Sequence, residues 1–546
     1  MIKNFTDKLP QLSQYKLIFS VAVFMTAAMN FSFYKHVLEV YAFDGIGILH
    51  FISLPLLLIA FCTFLFTLLS SRYTTKPLLI FVLIASSFAA YFMDTFDVVI
   101  DDSMLRNALQ TNLNESSDLF TLKLVFYVLL LGLLPSFLLY KMPLAYGSNK
   151  SEFFAKLKVL SITLGVILLI VFSLSKFYTS FFREHKPLRY YTNPTYWIYS
   201  VGNYISKNAN PQNFVLQELG RDAHYTPERL AQKAKERRIM VVVVGEAARA
   251  DRFSLNGYER DTNPLLKQED IFNLSNVSSC GTSTAESVPC MFSVFGRKDF
   301  NYKKGVSVEN ALDVLAHTNE IAVLWRDNNS DSKAVALRVA FEDFKKPQTN
   351  TICDEECRDE GMLVGLDTFI QNNPDKDIMI VLHQMGNHGP AYYKRYPKEF
   401  EKFTPACQTN QLESCTQEEV SNAYDNAILY TDYFLSKVIA FLKPYSKEYA
   451  TTMLYMSDHG ESLGENGLYL HGIPYFMAPE AQTHVGALLW LGERAKNEIN
   501  MPLLEKKAAE PLSHDNIFDT ILGTFGITTT VYKQERDIFN GVRKNK

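Results

Sequence analysis

An excess of basic residues is missing from this chain. Its 546 residues carry 54 Lys and Arg against 58 Asp and Glu, a formal net charge of −4, whereas a protein that grips nucleic-acid phosphates needs a basic face. Cys-x-x-Cys pairs and a His-x-x-x-His spacing are also absent, which removes the usual frame of a structural zinc site built on cysteine. Cysteine itself is scarce and unevenly spread. Cys62 stands alone in an apolar run, whereas Cys280, Cys290, Cys353, Cys357, Cys407 and Cys415 form three local pairs in the second half. Proximity pairs Cys280 with Cys290, Cys353 with Cys357 and Cys407 with Cys415, which suits disulfides in an oxidising compartment. Reduced thiols are the alternative, with Cys353 and Cys357 as the better candidate metal pair.

Charge is missing, too, from five stretches of the first third. Leu17 to Tyr34, Ile46 to Leu69, Pro77 to Met93, Leu124 to Tyr140 and Val159 to Ser175 contain no Asp, Glu, Lys or Arg, and each is about long enough to cross a bilayer. With 47% hydrophobic residues and 40 Phe overall, a five-helix membrane domain is expected over residues 1–176. The first run lacks a small-residue cleavage site and is followed by four more, so it reads as an uncleaved helix. Basic residues gather at the N-terminus (Lys3, Lys8, Lys16), in the second loop (Arg72, Lys76) and in the fourth (Lys141, Lys150, Lys156, Lys158), while the third is acidic. The positive-inside rule therefore puts the N-terminus in the cytoplasm, and an odd number of spans exports everything after Lys176. In the third loop a helix is expected near residues 98–118, where Asn107, Thr111 and Glu115 would share one face. That face could hold a polar lipid headgroup or simply be solvated.

Residues 177–234 are polar and aromatic with four prolines, and read as a bridging segment at the membrane surface. From 235 the texture changes. Runs at 239–245, 321–325, 378–382, 453–456 and 485–490 are continuously apolar, the pattern of a mainly parallel sheet buried on both faces. Ligands in such α/β folds bind beyond the carboxyl ends of the strands. There stand Glu246, then Arg326-Asp327-Asn328, then His383 with His388, then Ser457-Asp458-His459-Gly460-Glu461. These are hard or borderline ligands suited to a divalent ion such as Zn2+. Between the first two lies Ser279-Cys280-Gly281-Thr282-Ser283-Thr284-Ala285-Glu286-Ser287-Val288-Pro289-Cys290. Alone, it is equally an active-site loop of hydroxyl nucleophiles or a disulfide-closed turn whose Ser and Thr cap a helix. Beside a metal held by Glu246, Asp458 and His459, one of its hydroxyls could be activated for phosphoryl transfer through a covalent intermediate.

With these motifs in hand, the chain resembles the lipid A phosphoethanolamine transferases, including the mobile colistin-resistance enzymes, of the alkaline phosphatase and sulfatase superfamily. The resemblance is carried by Val243-Val-Gly-Glu246, Ala248-Arg-Ala-Asp251, Cys280 to Cys290, Trp325 to Lys333, His383-Gln-Met-Gly-Asn-His388, Ser457 to Glu461 and Tyr469-Leu-His471-Gly. It implies Thr284 as nucleophile, a choice spacing left open among Thr282, Ser283 and Thr284. It implies Zn2+ on Glu246, Thr284, Asp458 and His459, with a second zinc arriving with substrate as an option. It assigns Lys333, His388 and His471 to catalysis, and Asn107, Thr111, Glu115, Ser330, Lys333, His383, His388 and His471 to substrate. Phosphatidylethanolamine is then the donor, lipid A or lipopolysaccharide the acceptor, and the enzyme a monomer of the bacterial inner membrane with a periplasmic catalytic domain at 235–546 and no nucleic-acid partner. Two residues depart from the pattern, Ala247 where Thr is usual and Glu286 where an uncharged residue is commoner. The alternatives are a transferase acting on core sugars, a phosphoglycerol transferase, and a catalytically inactive receptor or scaffold. A sulfatase proper would carry Cys-x-Pro-x-Arg or Ser-x-Pro-x-Arg, and neither surrounds Thr284.

Overall fold

The structure, a computed structural model, describes residues 11–110, 119–183, 185–208, 216–233 and 236–544. The chain forms two compact units, Met1–Leu105 with Phe120–Asn210, and Arg106–Leu119 with Pro211–Lys546. The stretch 177–234 is divided between them at residues 210 and 211.

In the first unit, α1 (Gln14–Ala28) and α2 (Phe31–Val40) are followed by α3 (Gly45–Leu69), α4 (Thr75–Phe96), α5 (Leu122–Lys141) and α6 (Asn149–Ser173). The last four are long and apolar enough to cross a membrane, and α1 with α2 makes a fifth span only as a pair bent by 57°. The expected first helix is therefore broken, and its break has a polar cause. The buried Asn30 at the bend donates its amide to the carbonyls of Met25 (3.0 Å) and Asn193 (2.7 Å), while its Oδ1 accepts from the Asn193 N–H at 2.8 Å. Side-chain bonds of this kind offer the backbone an alternative to the helical ladder. Helix α6 starts ten residues before the apolar run that announced it, and its Lys156 caps the end of α3 by donating to the carbonyls of Leu68 and Ser70, which favours the negative end of that helix. Of the aromatic residues that follow the last span, Phe177, Tyr178, Tyr191 and Trp197 are built into this unit's core. In the third loop the described helix is Asp102–Gln110.

The second unit is built on a seven-stranded sheet. Its strands are β1 (Arg237–Gly245), β2 (Ile271–Asn273), β3 (Ile321–Asp327), β4 (Ala340–Asp343), β5 (Asp377–His383), β6 (Tyr449–Ser457) and β7 (Ala487–Leu491), in the order β2-β7-β6-β1-β5-β3-β4. From β6 to β4 every pairing is parallel. The run expected at 485–490 forms β7, which is antiparallel to both β6 and β2. Both faces of β7 are covered, so its apolar pattern matches that of a parallel strand, and burial carries no signal of direction. Successive residues of β1 alternate between two cores. Met240, Val242 and Val244 join a cluster with α8 (Ala311–His317) and α10 (Ile517–Phe525), whereas Ile239, Val241 and Val243 join one under α9 (Gln417–Leu442). Each buried valine or isoleucine contributes about 1.5–3 kcal/mol, and together they fix the strand ends from which the site projects. A short helix, α7 (Thr284–Met291), carries the hydroxyl-rich segment.

Candidate active site

The carboxyl ends of β1, β5 and β6 lie side by side in the sheet. At the end of β1 the chain turns sharply. Ala247 takes a left-handed φ of +54°, and Tyr424 of α9 holds the turn from both sides, donating its hydroxyl to the Ala247 carbonyl (2.6 Å) and accepting from the Arg249 N–H (2.9 Å). This aims Glu246 inward. At the end of β6 the N–H of Asp458 bonds the Gly245 carbonyl at 3.0 Å, and Asp458 Oδ1 accepts from the N–H groups of Ala247 (3.1 Å) and His459 (2.7 Å). A carbonyl can only accept, so the 2.7 Å contact between His459 Nδ1 and the Gly460 carbonyl places the ring proton on Nδ1. Nε2 is left to face Glu246 at 3.3 Å and Asp458 at 3.4 Å. Gly460 is required here, because a Cβ would fall 2.0 Å from the Ala481 carbonyl oxygen.

Helix α7 brings the hydroxyl. Ser283 is its N-cap residue and Thr284 its first residue. Three ties fix the segment: the Cys280–Cys290 disulfide, a bond from the Gly281 N–H to Ser287 Oγ (2.9 Å), and His514. That ring accepts from the Cys280 N–H (3.0 Å) and donates to the Ser457 carbonyl at the end of β6 (2.9 Å). Burial pushes His514 down to about 4, so it bridges loop and strand as a neutral ring. Thr284 Oγ1 lies 3.2 Å from Glu246 Oε2 and 3.4 Å from His459 Nε2. Thr282 instead donates to the Ile473 carbonyl at 2.6 Å, and Ser283 Oγ is buried with no partner among the described residues. Geometry thus separates three hydroxyls that spacing could not. Glu286 sits half-buried in the first turn of α7.

Glu246, Asp458 and His459 are fully buried, and their candidate ligand atoms all lie within 4.8 Å of one another. Two carboxylates this close in a dry site need a cation, because burying unpaired charge costs several kcal/mol. Asp458 Oδ2 has no hydrogen-bond partner among the described residues, so the donor set fits a divalent metal. The protein alone compensates with protons. Burial, then the Glu246 charge, pushes Asp458 up to about 6. Burial works downward on His459, yet Asp458, Glu246 and Glu461 raise it to about 10. Burial likewise works to raise Glu246, but His459, with His388 and His471, holds it below the usual range.

Around this centre stand the other expected residues. His471 bonds Glu461 at 3.1 Å, and its ring lies 4.2 Å from that of His459 and 6.2 Å from that of His388. His459, Glu461 and His471 form a second ligand-like group. His383 is fully buried, its Nδ1 bonded to Asp327 Oδ2 at 2.9 Å and its Nε2 without a partner among the described residues. Buried Lys333 donates to the Ser330 carbonyl at 3.0 Å, and no carboxylate among the described residues pairs with it. Asn107 belongs to the Asp102–Gln110 helix, while Thr111 and Glu115 fall outside the described residues.

Besides His514 and Tyr424, three more supporting residues were given no role from sequence. Asn329 donates to Glu246 Oε2 at 2.8 Å. Asp359 accepts from the N–H groups of Met385 (2.8 Å) and Gly386 (3.2 Å) and from Asn328 Nδ2 (2.8 Å), fixing the 383–388 loop. Arg395 donates to the His388 carbonyl at 2.6 Å. Asn329 could have been suspected from its place within the Trp325–Lys333 motif, but Asp359 and Arg395 carry no motif signal.

Residues 238–527 match the sulfatase family model, and residues 58–209 match the model described as phosphoethanolamine transferase EptA/EptB. The chain is 43% identical over 536 residues to phosphatidylethanolamine transferase Mcr-1 of Escherichia coli, covering 96% of each. It is 36% identical over 544 residues to phosphoethanolamine transferase EptA of Escherichia coli strain K12, covering 98% of each. Among solved structures, the integral membrane lipooligosaccharide phosphoethanolamine transferase A of Neisseria meningitidis superposes with a TM-score of 0.93 at 34% identity, over 98% of this chain and 100% of that one.

Proposed function

The chain belongs to the lipid A phosphoethanolamine transferase family, and from that premise we propose that it moves phosphoethanolamine from phosphatidylethanolamine to a lipid A phosphate through a phosphoester on Thr284. The observation that carries this reading is the convergence of Thr284 Oγ1 on Glu246 and His459 at 3.2 and 3.4 Å, at the first residue of a helix. Zn2+ is the proposed cofactor, held by Glu246, Asp458, His459 and the Thr284 oxygen. When bound it supplies Lewis-acid chemistry, lowering the pKa of a hydroxyl and drawing charge from phosphoryl oxygens.

The protein's own groups do the rest. Thr284 Oγ passes its proton to Glu246, 3.2 Å away, and attacks the donor phosphorus; the bond to the glycerol oxygen breaks, and diacylglycerol leaves with a proton from His471, which Glu461 holds at 3.1 Å. The positive end of α7 and the Lys333 ammonium favour the anionic phosphoryl group. In the second half a lipid A phosphate oxygen attacks the same phosphorus, the bond to Thr284 breaks, and Oγ recovers its proton. Asn329 and Asp327 act as positioning residues, the first on Glu246 and the second on His383. The active site is proposed to face the periplasm of a bacterial inner membrane. An added ammonium offsets negative surface charge and weakens attraction of cationic peptides, so polymyxin resistance is the expected phenotype.

Mass spectrometry of lipid A from cells making the wild type, Thr284→Ala or Glu246→Ala tests the reading. The wild type is expected to add phosphoethanolamine to a lipid A phosphate and both variants to add none. An adduct on core sugars alone would move the acceptor, and adducts in Thr284→Ala would remove the nucleophile.

A further inference from the structure

The first unit contains a cleft of about 660 Å3 that the transfer reaction leaves unused. That volume lies within the roughly 300–1,000 Å3 of small-molecule sites. One end is apolar, lined by Leu57, Leu58 and Phe61 of α3 and by Ile167 and Val171 of α6. Along α3 the lining runs from Leu54 to Phe61, about 10 Å of helix rise, so the cleft extends well along a membrane span. The other end is polar, with Arg189, Tyr196 and Tyr199, which follow the last span in the chain. Every lining residue belongs to the same unit.

Arg189 says what would fill it. Its guanidinium is half-buried, 5.4 Å from the Tyr190 ring, with no carboxylate at ion-pair distance among the described residues. A half-buried cation with no carboxylate beside it is open to an anion, and a planar guanidinium is matched by a phosphate oxygen pair. Apolar walls leading to a phosphate-seeking cation describe an amphiphile. Free phosphate would satisfy Arg189 and leave the walls bare, whereas a bilayer lipid satisfies both. We propose that the cleft binds one glycerophospholipid from the bilayer, an acyl chain between α3 and α6 and the phosphate on Arg189, with the tyrosines at headgroup level. Phosphatidylethanolamine, with a phosphate above two acyl chains, is the probe of choice.

The test is native mass spectrometry of the full chain, stripped of lipid in detergent and then incubated with phosphatidylethanolamine. The wild type should hold one lipid through release from the micelle. Arg189→Gln and Leu58→Trp should each lower occupancy at least fivefold, with Arg189→Lys recovering part of it and Arg72→Gln leaving it unchanged. Excess inorganic phosphate should not displace the lipid. Thr284→Ala should keep it, which separates this proposal from the transfer reaction. Wild-type occupancy in Arg189→Gln, an equal loss in Arg72→Gln, or displacement by phosphate would each overturn it. Should Leu58→Trp fail to fold, the Arg189 pair and the competition decide alone.

Discussion

Thr284 differs from its neighbours Thr282 and Ser283 in facing Glu246 and His459, and what holds that arrangement in place is supplied by other residues. Asn329 is the plainest of these. Its amide donates to the Glu246 oxygen that Thr284 approaches, so Asn329→Ala is expected to weaken zinc affinity about 10- to 100-fold with little change in melting temperature of the metal-free protein. Competitive chelator titration measures this, and unchanged affinity would remove Asn329 from the site. The charges of the metal-free centre make a second prediction. His459, raised to about 10, carries a proton at pH 7.5, and metal entry must expel it. Zinc affinity should therefore rise roughly tenfold per pH unit between about 6.5 and 8.5, seen by calorimetry in buffers of different ionisation enthalpy. A flat profile would contradict the protonation assigned to His459. At this scale the sequence singled out Glu246, Asp458 and His459 because they stand at the ends of strand-like runs, and the structure gathers their candidate ligand atoms within 4.8 Å of one another. The sequence marked Asn329 only as a member of the Trp325–Lys333 motif and was silent about His514, because their parts depend on contacts across 83 and 57 residues.

Among the elements, the parallel strands were legible because burial on both faces leaves continuous apolar runs, and the reversal of β7 was not, because the same burial erases direction. The break between α1 and α2 escaped notice for a related reason. Asn30 is uncharged, so it does not interrupt a search for apolar runs, yet its amide bonds across to Asn193 and parts the helix. The loop after β5 depends on one buried carboxylate. Asp359→Ala would strand the N–H donors of Met385 and Gly386, each unsatisfied donor costing about 1–3 kcal/mol. The expected outcome is a clear drop in melting temperature together with a lower kcat, since His388 loses its frame. A variant that melts lower but keeps wild-type turnover would show that the loop positions nothing in the reaction.

For the molecule as a whole, composition led to the expectation of a membrane part over 1–176 and an exported part beyond it; of the two compact units, the first runs on to Asn210 and the second takes in Arg106–Leu119. The three proximal cysteine pairs are all disulfides. The proposed orientation makes its own prediction. In intact spheroplasts, Phe43→Cys between α2 and α3 should react with a membrane-impermeant maleimide, and Lys150→Cys at the start of α6 should react only after lysis; the reverse pattern would invert the chain. The central claim is that phosphoethanolamine rests on Thr284 between donor and acceptor. Its most direct measurement is peptide mass spectrometry of the zinc-loaded full chain after incubation with phosphatidylethanolamine and no acceptor. The account predicts phosphoethanolamine on the peptide containing Thr284, lost on adding lipid A and absent from Thr284→Ala. Donor turnover with that peptide unmodified, or modification at Thr282 or Ser283, would contradict it.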